Sequence, residues 1–225
     1  MLRRINLTGN PNIGVYISVT DQIAIVSFNF PEMMEDSIKE ALEIDVIRTT
    51  ISGSNLCGAL SCGNSKGIIV SPYTFDKEID LLEDIGLNVA KIPDKYTAVG
   101  NIIAANDKGA IVSPLLSEKS IEIIEEALDV RVERSKIAGF SIIGSLLTVN
   151  NKGALVHRET SQSELNFIEK VFRIDADIGT VGQGINLVGA CSIANSYGVI
   201  VPENTTGPEM ARIEEVLGFL DTEIS

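Results

Sequence analysis

Residues 100–112 read GNIIAANDKGAIV, and segments of the same length and pattern occur five times along the chain. Each segment begins with a glycine and ends in a short apolar run; the leading glycines are Gly14, Gly58, Gly100, Gly144 and Gly189. A second glycine follows nine residues later in four segments, and Ile23 replaces it in the first. Internal similarity with a period of about 20–50 residues is the signature of a repeat architecture. The chain therefore contains five related units, starting near residues 14, 58, 100, 144 and 189.

The third unit shows the plan that we expect all five units to share. Segment 101–105 (NIIAA) is a predicted strand, NDKG at 106–109 is a turn, and 110–112 begins the returning strand of a hairpin. Segment 117–128 spaces its apolar residues as one face of a helix does and carries glutamates on the other face. Segment 130–133 alternates apolar and charged residues, which indicates a third strand. Each unit is therefore predicted to be β-β-α-β.

The other units follow the same plan, and the N-terminus completes the last one. Their predicted helices lie near 36–42, 75–85, 161–172 and 206–217, and their third strands at 45–49, 87–92 and 173–177. Segment 2–7 stands at the register of a third strand, although it precedes the first hairpin. Pairing of this segment beside the fifth unit would close the array into a ring and remove free sheet edges. We therefore expect one α/β domain over residues 1–225, with the repeated glycines crowded near its centre.

Composition narrows the range of partners. The 225-residue chain is 44% hydrophobic and 22% charged, so it can bury a core, and its formal net charge is −13. Such a surface repels phosphate backbone, so we expect no broad binding to free nucleic acid, whereas a basic protein partner or a local contact to RNA is compatible with it. The chain has no apolar run of membrane-spanning length and no signal-peptide pattern. We therefore expect a cytoplasmic protein with three free cysteines and no membrane partner.

Five stretches together resemble a known family. They are GNPNIGVY (9–16), GNSKGIIVSPYT (63–74), AVGNIIAANDKGAIVSP (98–114), NNKGALVHRETS (150–161) and IGTVGQGINLVGACSIANSYGVIVPENTT (178–206). With them the chain resembles the archaeal members of the translation initiation factor 6 family, and the resemblance covers nearly its whole length. This resemblance implies the pentein fold, a five-fold pseudosymmetric α/β propeller of β-β-α-β repeats, here closed by the N-terminal strand.

The resemblance also implies a function without chemistry. Members of the family bind the large ribosomal subunit on its intersubunit face, prevent association with the small subunit by steric exclusion, and accompany large-subunit maturation. Their contacts are chiefly to ribosomal proteins of the uL14 and eL24 types, with the sarcin–ricin loop nearby. An acidic body that meets basic ribosomal proteins is consistent with electrostatic complementarity. From this resemblance we expect a monomer with no catalytic residues, no cofactor and no metal.

The expected contact residues follow the repeat glycines, because the family's ribosome contacts lie toward that end of the ring. The matching positions are Val15, Ala59, Asn101, Ser145 and Ala190. Asn101 matches the family motif best, although its amide could instead satisfy nearby backbone groups. Ala59 is small where eukaryotic relatives can carry a larger basic residue. Lys91 is a further candidate, and the alternative for it is an ordinary solvated lysine.

Three arginines share one register in their units. Arg4, Arg48 and Arg134 each stand ten residues before a repeat glycine. They could form a basic rim or a polar layer in a central channel, or they could be surface arginines that pair with the abundant acids. We favour the second interpretation, because Ala90 and Gly179 occupy the same register in the other units.

An enzyme is the main alternative, because pentein proteins include guanidine-modifying hydrolases with a cysteine nucleophile and a histidine partner. Cys57 and Cys191 occupy registers that are apolar in the other units, and Cys62 occupies one of mostly small residues. We therefore interpret the cysteines as core residues. His157, the one histidine, is predicted to be an exposed loop residue. No unit carries an insertion that could wall off a substrate pocket. A generic protein-binding module is a third possibility.

Overall fold

A computed structural model describes residues 1–220, which form five three-stranded sheets and ten helices. The strands are β1 Leu2–Ile5, β2 Ser18–Val19, β3 Ile23–Val26, β4 Asp45–Arg48, β5 Ser61–Gly63, β6 Gly67–Val70, β7 Asn88–Lys91, β8 Ile103–Ala105, β9 Ala110–Val112, β10 Val132–Arg134, β11 Leu147–Val149, β12 Gly153–His157, β13 Asp175–Gly179, β14 Ile193–Ala194 and β15 Val199–Pro202. The helices are α1 Ile13–Tyr16, α2 Glu32–Leu42, α3 Cys57–Leu60, α4 Asp76–Asp84, α5 Val99–Ile102, α6 Glu118–Leu128, α7 Ile143–Leu146, α8 Gln162–Phe172, α9 Val188–Cys191 and α10 Gly207–Val216.

Each sheet has the predicted composition of a hairpin and a third strand. In the third unit β8 pairs antiparallel with β9, and β10 pairs parallel with β9 on its other side. The long helix of the unit joins β9 to β10, as a parallel pair requires. Helix α6 packs against its own strand β10 and against β6 and β7 of the preceding unit. Its buried face (Ile124, Ala127 and Leu128) therefore joins two neighbouring units.

The fifth sheet is completed by the start of the chain. Strand β1 pairs parallel with β15, from Leu2 opposite Val199 to Ile5 opposite Pro202, and β14 lies on the other side of β15. The predicted pairing of segment 2–7 beside the fifth unit is therefore confirmed, although the strand ends at Ile5. Helix α2 of the first unit packs on β1 and β15, so the first and fifth units share a packed interface.

The segment after each repeat glycine differs from the prediction. We expected 101–105 to be a strand, but Val99–Ile102 forms one helical turn and the strand begins at Ile103. The other four glycines lie in equivalent four-residue turns, α1, α3, α7 and α9. The turn brings the glycine against its neighbour, and periodicity cannot separate a strand from a helix over so few apolar residues.

The five glycine turns contact one another in a cycle that returns to its starting point. A Cβ added at Gly100 would lie less than 3.0 Å from the carbonyl oxygen of Gly58, closer than real Cβ atoms approach. The same clash joins Gly58 to Gly14, Gly144 to Gly100, Gly189 to Gly144 and Gly14 to Gly189. Only a residue without a side chain allows the five backbones to approach this closely.

The hairpin turns provide a second set of contacts between units. Asn106 donates from Nδ2 to the carbonyl oxygens of Asn150 (3.1 Å) and Phe172 (3.0 Å) in the next unit. Its Oδ1 accepts from the backbone N–H groups of its own turn, at Lys108 and Gly109. Asn64 and Asn150 make the same double donation, and Asn195 donates to the helix carbonyl of Leu42. One buried amide per turn therefore stabilises both the turn and the neighbouring interface.

The hairpin turn of the first unit lacks this buried asparagine. Thr20 replaces the asparagine, and its hydroxyl accepts only from the backbone of its own turn at Gln22 and Ile23. Ile23 replaces the glycine that lets a helix end approach in the other interfaces, and its side chain packs in a cluster with Leu82 of α4. The interface between the first and second units is therefore held by apolar packing, whereas the other four use a buried amide.

Several predicted boundaries were wrong by a few residues. Helix α2 begins at Glu32 and not at 36, directly after Pro31, which occupies the N-cap position in an extended conformation (φ −62°, ψ 125°). Strands β10 and β13 begin two residues later than predicted. The reason is that Asp129 and Arg173 adopt left-handed conformations (φ of 51° and 53°) that end the preceding helices.

The glycine cycle yields a stability prediction. Gly100→Ala places a methyl group against the backbone of Gly58, so the turns must move apart, and we expect a loss of about 3 kcal/mol or more in unfolding free energy. Gly207→Ala is the matched control, because its added Cβ meets nothing within 4 Å; it should change stability by less than about 1 kcal/mol. Urea unfolding of both variants measures the difference, and equal midpoints would contradict the packing argument.

Candidate binding face

One end of the molecule gathers the residues that the sequence singled out. We call it the glycine face: the five turns α1, α3, α5, α7 and α9 together with the loops that lead into them from the third strands. The long helices also begin at this end, because each follows the second strand of its hairpin. The hairpin turns, with their buried asparagines, lie at the other end of the strands.

The five predicted contact residues divide into two groups on this face. Ala59, Ser145 and Ala190 are only 6%, 7% and 8% exposed, and the turns that carry them pack against neighbouring glycine turns. Val15 and Asn101 are half-buried and present side-chain atoms to solvent. In the free chain, Val15 and Asn101 therefore offer more side-chain surface to a partner than the three buried residues do. All five positions stay predicted contact residues.

The side-chain amide of Asn101 is available to hydrogen-bond with a partner. Its backbone N–H donates to the carbonyl oxygen of Ala98 (3.1 Å), which is the hydrogen bond of the turn. Among residues 1–220 its side-chain amide forms no hydrogen bond, so the alternative of an amide that satisfies nearby backbone does not apply. An amide with free donors and an acceptor can pair with a partner's backbone or side chains.

Lys91 ends strand β7 near the start of α4. Its Nζ lies 3.5 Å from Oδ1 of Asp76, whose side chain is 97% exposed. An ion pair this open to solvent contributes little stability, so the lysine can exchange its partner at low cost. Lys91 therefore stays a predicted contact residue, and Asp76 competes with a partner for its ammonium group.

The glycine face also carries a set of exposed apolar side chains that were not predicted from the sequence. Leu56, Ile142 and Leu187 each precede a glycine by two residues, cap the start of a glycine turn, and are 38–39% exposed. Apolar side chains with a greater exposed fraction, 50–66%, lie on the loops and helix starts of the same end: Phe28, Tyr73, Phe75, Leu115 and Phe140. A comparison of registers could have found Leu56, Ile142 and Leu187, since a repeated apolar residue outside the core pattern indicates a binding surface.

Carboxylates at the helix starts fix the loops of this face. Glu209 accepts from the backbone N–H groups of Gln183 (3.1 Å) and Gly184 (2.8 Å) and from the Thr180 hydroxyl (2.8 Å), besides capping its own helix at Thr206. Burial alone would raise its pKa, but these donors outweigh burial and lower the pKa to about 2. The GTVGQG loop, 179–184, is thereby held in place.

The second and fourth units use the same device. Glu78 accepts from the backbone of Ser52, Gly53 and Phe75, each at 2.9 Å. Glu164 accepts from Ala138 and Ser161, each at 2.8 Å. Both carboxyls have lowered pKa values, because the donated hydrogen bonds exceed the effect of burial. The loops of the glycine face are therefore fixed before any partner binds.

The three arginines of one register pair within the chain. Arg48 contacts Glu35 (2.7 Å) and donates to the carbonyls of Phe28 and Phe30, and Arg134 pairs with Glu118. Arg4 donates to the carbonyl oxygen of Glu203 (3.4 Å). The interpretation that they pair with acids is confirmed for Arg48 and Arg134.

The cysteines are arranged as core residues. Cys57 and Cys191 are buried, and burial raises their pKa values to about 12 and about 11. Desolvation likewise raises the pKa of Cys62 to about 12. A cysteine nucleophile acts as the thiolate, and raised pKa values keep these side chains as thiols near neutral pH. The environment of the cysteines thus lacks the activation that a thiol nucleophile needs.

His157 is not the exposed loop residue that we predicted. It is the last residue of β12 and is only 6% exposed, because strand β13 pairs alongside it and the Phe140 ring lies 6.0 Å away. Its Nδ1 accepts from the backbone N–H of Glu159 (3.2 Å). The imidazole therefore holds the loop after β12, and none of its hydrogen bonds within residues 1–220 involves a cysteine.

Two kinds of feature are absent from residues 1–220. In this part of the chain no group of three or more histidine, cysteine, aspartate or glutamate side chains is arranged to hold a metal ion. None of the helices described there combines the length and apolar character needed to cross a bilayer.

Comparison with known proteins identifies the family. The family model described as the eIF-6 family matches residues 2–216. The chain belongs to the eIF-6 family. It is 56% identical over 221 residues to translation initiation factor 6 of Methanobrevibacter smithii, covering 98% of this chain and 99% of that protein. It is 40% identical over 225 residues to translation initiation factor 6 of Pyrococcus horikoshii, covering 97% of this chain and 99% of that protein. The resemblance to archaeal translation initiation factor 6 is confirmed.

A solved structure extends the comparison to the fold of this eIF-6 family member. The N-terminal domain of a cyanobacterial arginine dihydrolase, crystallised with its substrate, matches with a TM-score of 0.53 over 83% of this chain and 75% of that chain. The two sequences are 12% identical, so the likeness concerns the fold alone. The likeness supports a related mixed α/β fold, which in residues 1–220 of this chain consists of five three-stranded sheets and their helices.

The Glu209 loop anchor predicts a pH dependence. A folded-state pKa of about 2, below the ordinary 4.5, contributes stability at neutral pH that is lost as pH falls from about 5 toward 2. After a discount for solvent screening, Glu209→Gln should cost about 1–2 kcal/mol near pH 7 and almost nothing near pH 2. Urea unfolding at both pH values checks this, with the exposed Glu122→Gln as control. An equal cost at both pH values would contradict the assignment.

Proposed function

We propose that this chain binds the large ribosomal subunit at its intersubunit face and sterically prevents association with the small subunit. The observation that carries the proposal is membership of the eIF-6 family over residues 2–216. Steric exclusion requires only affinity and position, so no catalytic residue or cofactor is needed. A role in large-subunit maturation follows from the same binding, because a factor on the intersubunit face keeps a new subunit out of translation until it leaves.

The glycine face is the proposed contact surface. Leu56, Ile142 and Leu187 supply exposed apolar area, and Asn101 supplies free hydrogen-bonding groups between them. A fixed surface with apolar anchors and a polar group suits binding, because little conformational entropy is lost on association. The carboxylates that hold its loops support this assignment.

The partners that we propose are basic ribosomal proteins of the uL14 and eL24 types, with the sarcin–ricin loop nearby. A net charge of −13 favours encounter with basic proteins through electrostatic steering. We also propose that residues 1–225 form one closed, monomeric pentein ring in the cytoplasm; the last five of these residues lie outside the part that the structure describes. The glycine cycle and the pairing of β1 with β15 support the ring.

Sedimentation with purified archaeal ribosomal subunits tests the proposal. The protein should travel with the large subunit and not with the small one, and it should reduce the peak of joined ribosomes. The physical reason is that one site cannot hold both the factor and the small subunit. Protein that stays at the top of the gradient, with joining unaffected, would refute the proposed function.

A variant of Asn101 tests the proposed face. Asn101→Arg adds a cation and a longer side chain opposite basic proteins, so we expect large-subunit binding to weaken at least about tenfold with the fold intact. Gln22→Arg is the matched control, because Gln22 is an exposed residue on a hairpin turn at the other end of the molecule. Equal affinity of the two variants in co-sedimentation would remove Asn101 from the interface.

A further inference from the structure

We propose that the groove between the third and fourth units is a binding site for the phosphate backbone of an RNA strand. The groove has a volume of about 410 Å³ and is lined by Lys108, Arg131, Lys170 and Arg173, with Glu133 and Phe167. Four cations and one carboxylate therefore meet in a single depression of a chain whose net charge is −13. This site is distinct from the glycine face, since Lys108 lies in a hairpin turn and Arg173 at a helix end.

The charges in the groove are available to a ligand. All four cationic residues are exposed, and Arg131 pairs with Glu133 at 2.9 Å. Within residues 1–220, Lys108, Lys170 and Arg173 have no carboxylate oxygen within the 4.0 Å of an ion pair, although the chain has 31 acidic residues. Lys108 donates instead to the carbonyl oxygens of Asn151 (3.2 Å) and Arg173 (3.3 Å), which holds its ammonium at the groove.

The repeat supplies an internal comparison for the helix side of the groove. Lys170 immediately precedes Val171, whose carbonyl oxygen lies against Gly109 of the neighbouring hairpin. The helix residues in the same position at the other three interfaces that have a hairpin glycine are Glu40, Glu126 and Glu215. Arg173 lies two residues after Val171, the residue that contacts the hairpin glycine. The residues at the same distance from the contact in the other helices are Glu43, Asp129 and Gly218. The charge is thus reversed at two registers of one interface.

The strand side shows the same reversal. Arg131 lies directly before Val132, which pairs with Ala110, so it stands opposite the second glycine of its hairpin. The residues at this register in three other units are Asp45, Asn88 and Asp175. Three positions that are acidic or neutral elsewhere in the frame are basic here, and all three line one groove. Cations at the end of helix α8 could serve only to cap that helix. This explanation would not account for the basic residue Arg131 on the strand side of the groove.

The chemistry of the groove favours phosphate. Arginine presents a planar fork that matches a phosphate bidentately, and a cleft with an excess of positive charge concentrates anions. Phe167 lies half-buried in the groove wall, where a base can stack on it. The acidic remainder of the surface repels RNA, so binding should be confined to this groove. It is a local exception to the expectation of no broad nucleic-acid binding.

The test is fluorescence anisotropy of the full chain with a labelled uridine decamer, from about 20 mM to about 200 mM KCl. Lys170→Glu with Arg173→Asp installs residue types that the other interfaces already carry, so the fold should persist. We expect this variant to weaken RNA binding more than about tenfold at the lowest salt. The slope of log affinity against log salt should fall by about 1.4, which is two contacts at roughly 0.7 each.

The matched control is Lys66→Glu with Lys77→Glu, which changes the net charge equally at two exposed lysines outside the groove. It should lower RNA affinity far less than the groove variant. A neutral pair, Lys170→Gln with Arg173→Asn, checks the result without charge reversal, and thermal unfolding monitors the fold of every variant. Equal loss in groove and control variants would overturn the site, as would absence of binding by the unmodified chain at low salt.

A competition experiment separates phosphate from carboxylate ligands. A glutamate decamer, which carries a similar charge, should displace the RNA much less well than unlabelled uridine decamer. Equal competition by the peptide would overturn the RNA assignment in favour of an acidic protein segment. Because the assay contains no ribosomal subunit, its outcome is independent of the proposed anti-association function.

Discussion

The close approach of five glycine turns is the constraint on which the remaining structure depends. The backbone of each turn occupies the space that a side chain on the neighbouring repeat glycine would need. No residue other than glycine therefore fits at these five positions. The approach fixes the distance between neighbouring hairpins, and the long helices then pack between adjacent sheets. The loops that lead into the turns meet at one end of the molecule as a consequence. A packing requirement at the centre thus generates the surface that is the candidate for binding.

The five units are equivalent in backbone but not in the groups that join them. Four interfaces use a buried asparagine and a glycine at the hairpin turn, whereas Thr20 and Ile23 leave the first interface to apolar packing. The interface between the third and fourth units keeps the asparagine and adds basic residues around Lys170. Interfaces between repeat units can therefore differ in polarity and charge, because the glycine contacts at the centre do not depend on the residues at the outer ends of the interfaces.

The register of the repeat made much of the fold predictable. It indicated the hairpins, the long helices, and the pairing of segment 2–7 with the fifth unit, because each depends on periodic apolar positions. It did not reveal which side of a short turn faces solvent, so Ala59, expected at the contact surface, proved buried. The burial of His157 was also missed, because the third strand of its unit was predicted to end at 177, whereas β13 continues to Gly179 and pairs with His157 there. The position of the candidate face within the repeat could be predicted from the sequence. The residues that are exposed on that face could not.

We propose that the glycine face binds the intersubunit surface of the large ribosomal subunit. The measurement that tests it most directly is a cryo-electron microscopy reconstruction of the purified archaeal large subunit with this protein bound. We expect density for the five units on the intersubunit face, with Asn101 and Leu187 in contact with ribosomal protein. Density at another surface of the subunit, or on the intersubunit face with the hairpin turns directed inward, would exclude the glycine face as the contact surface.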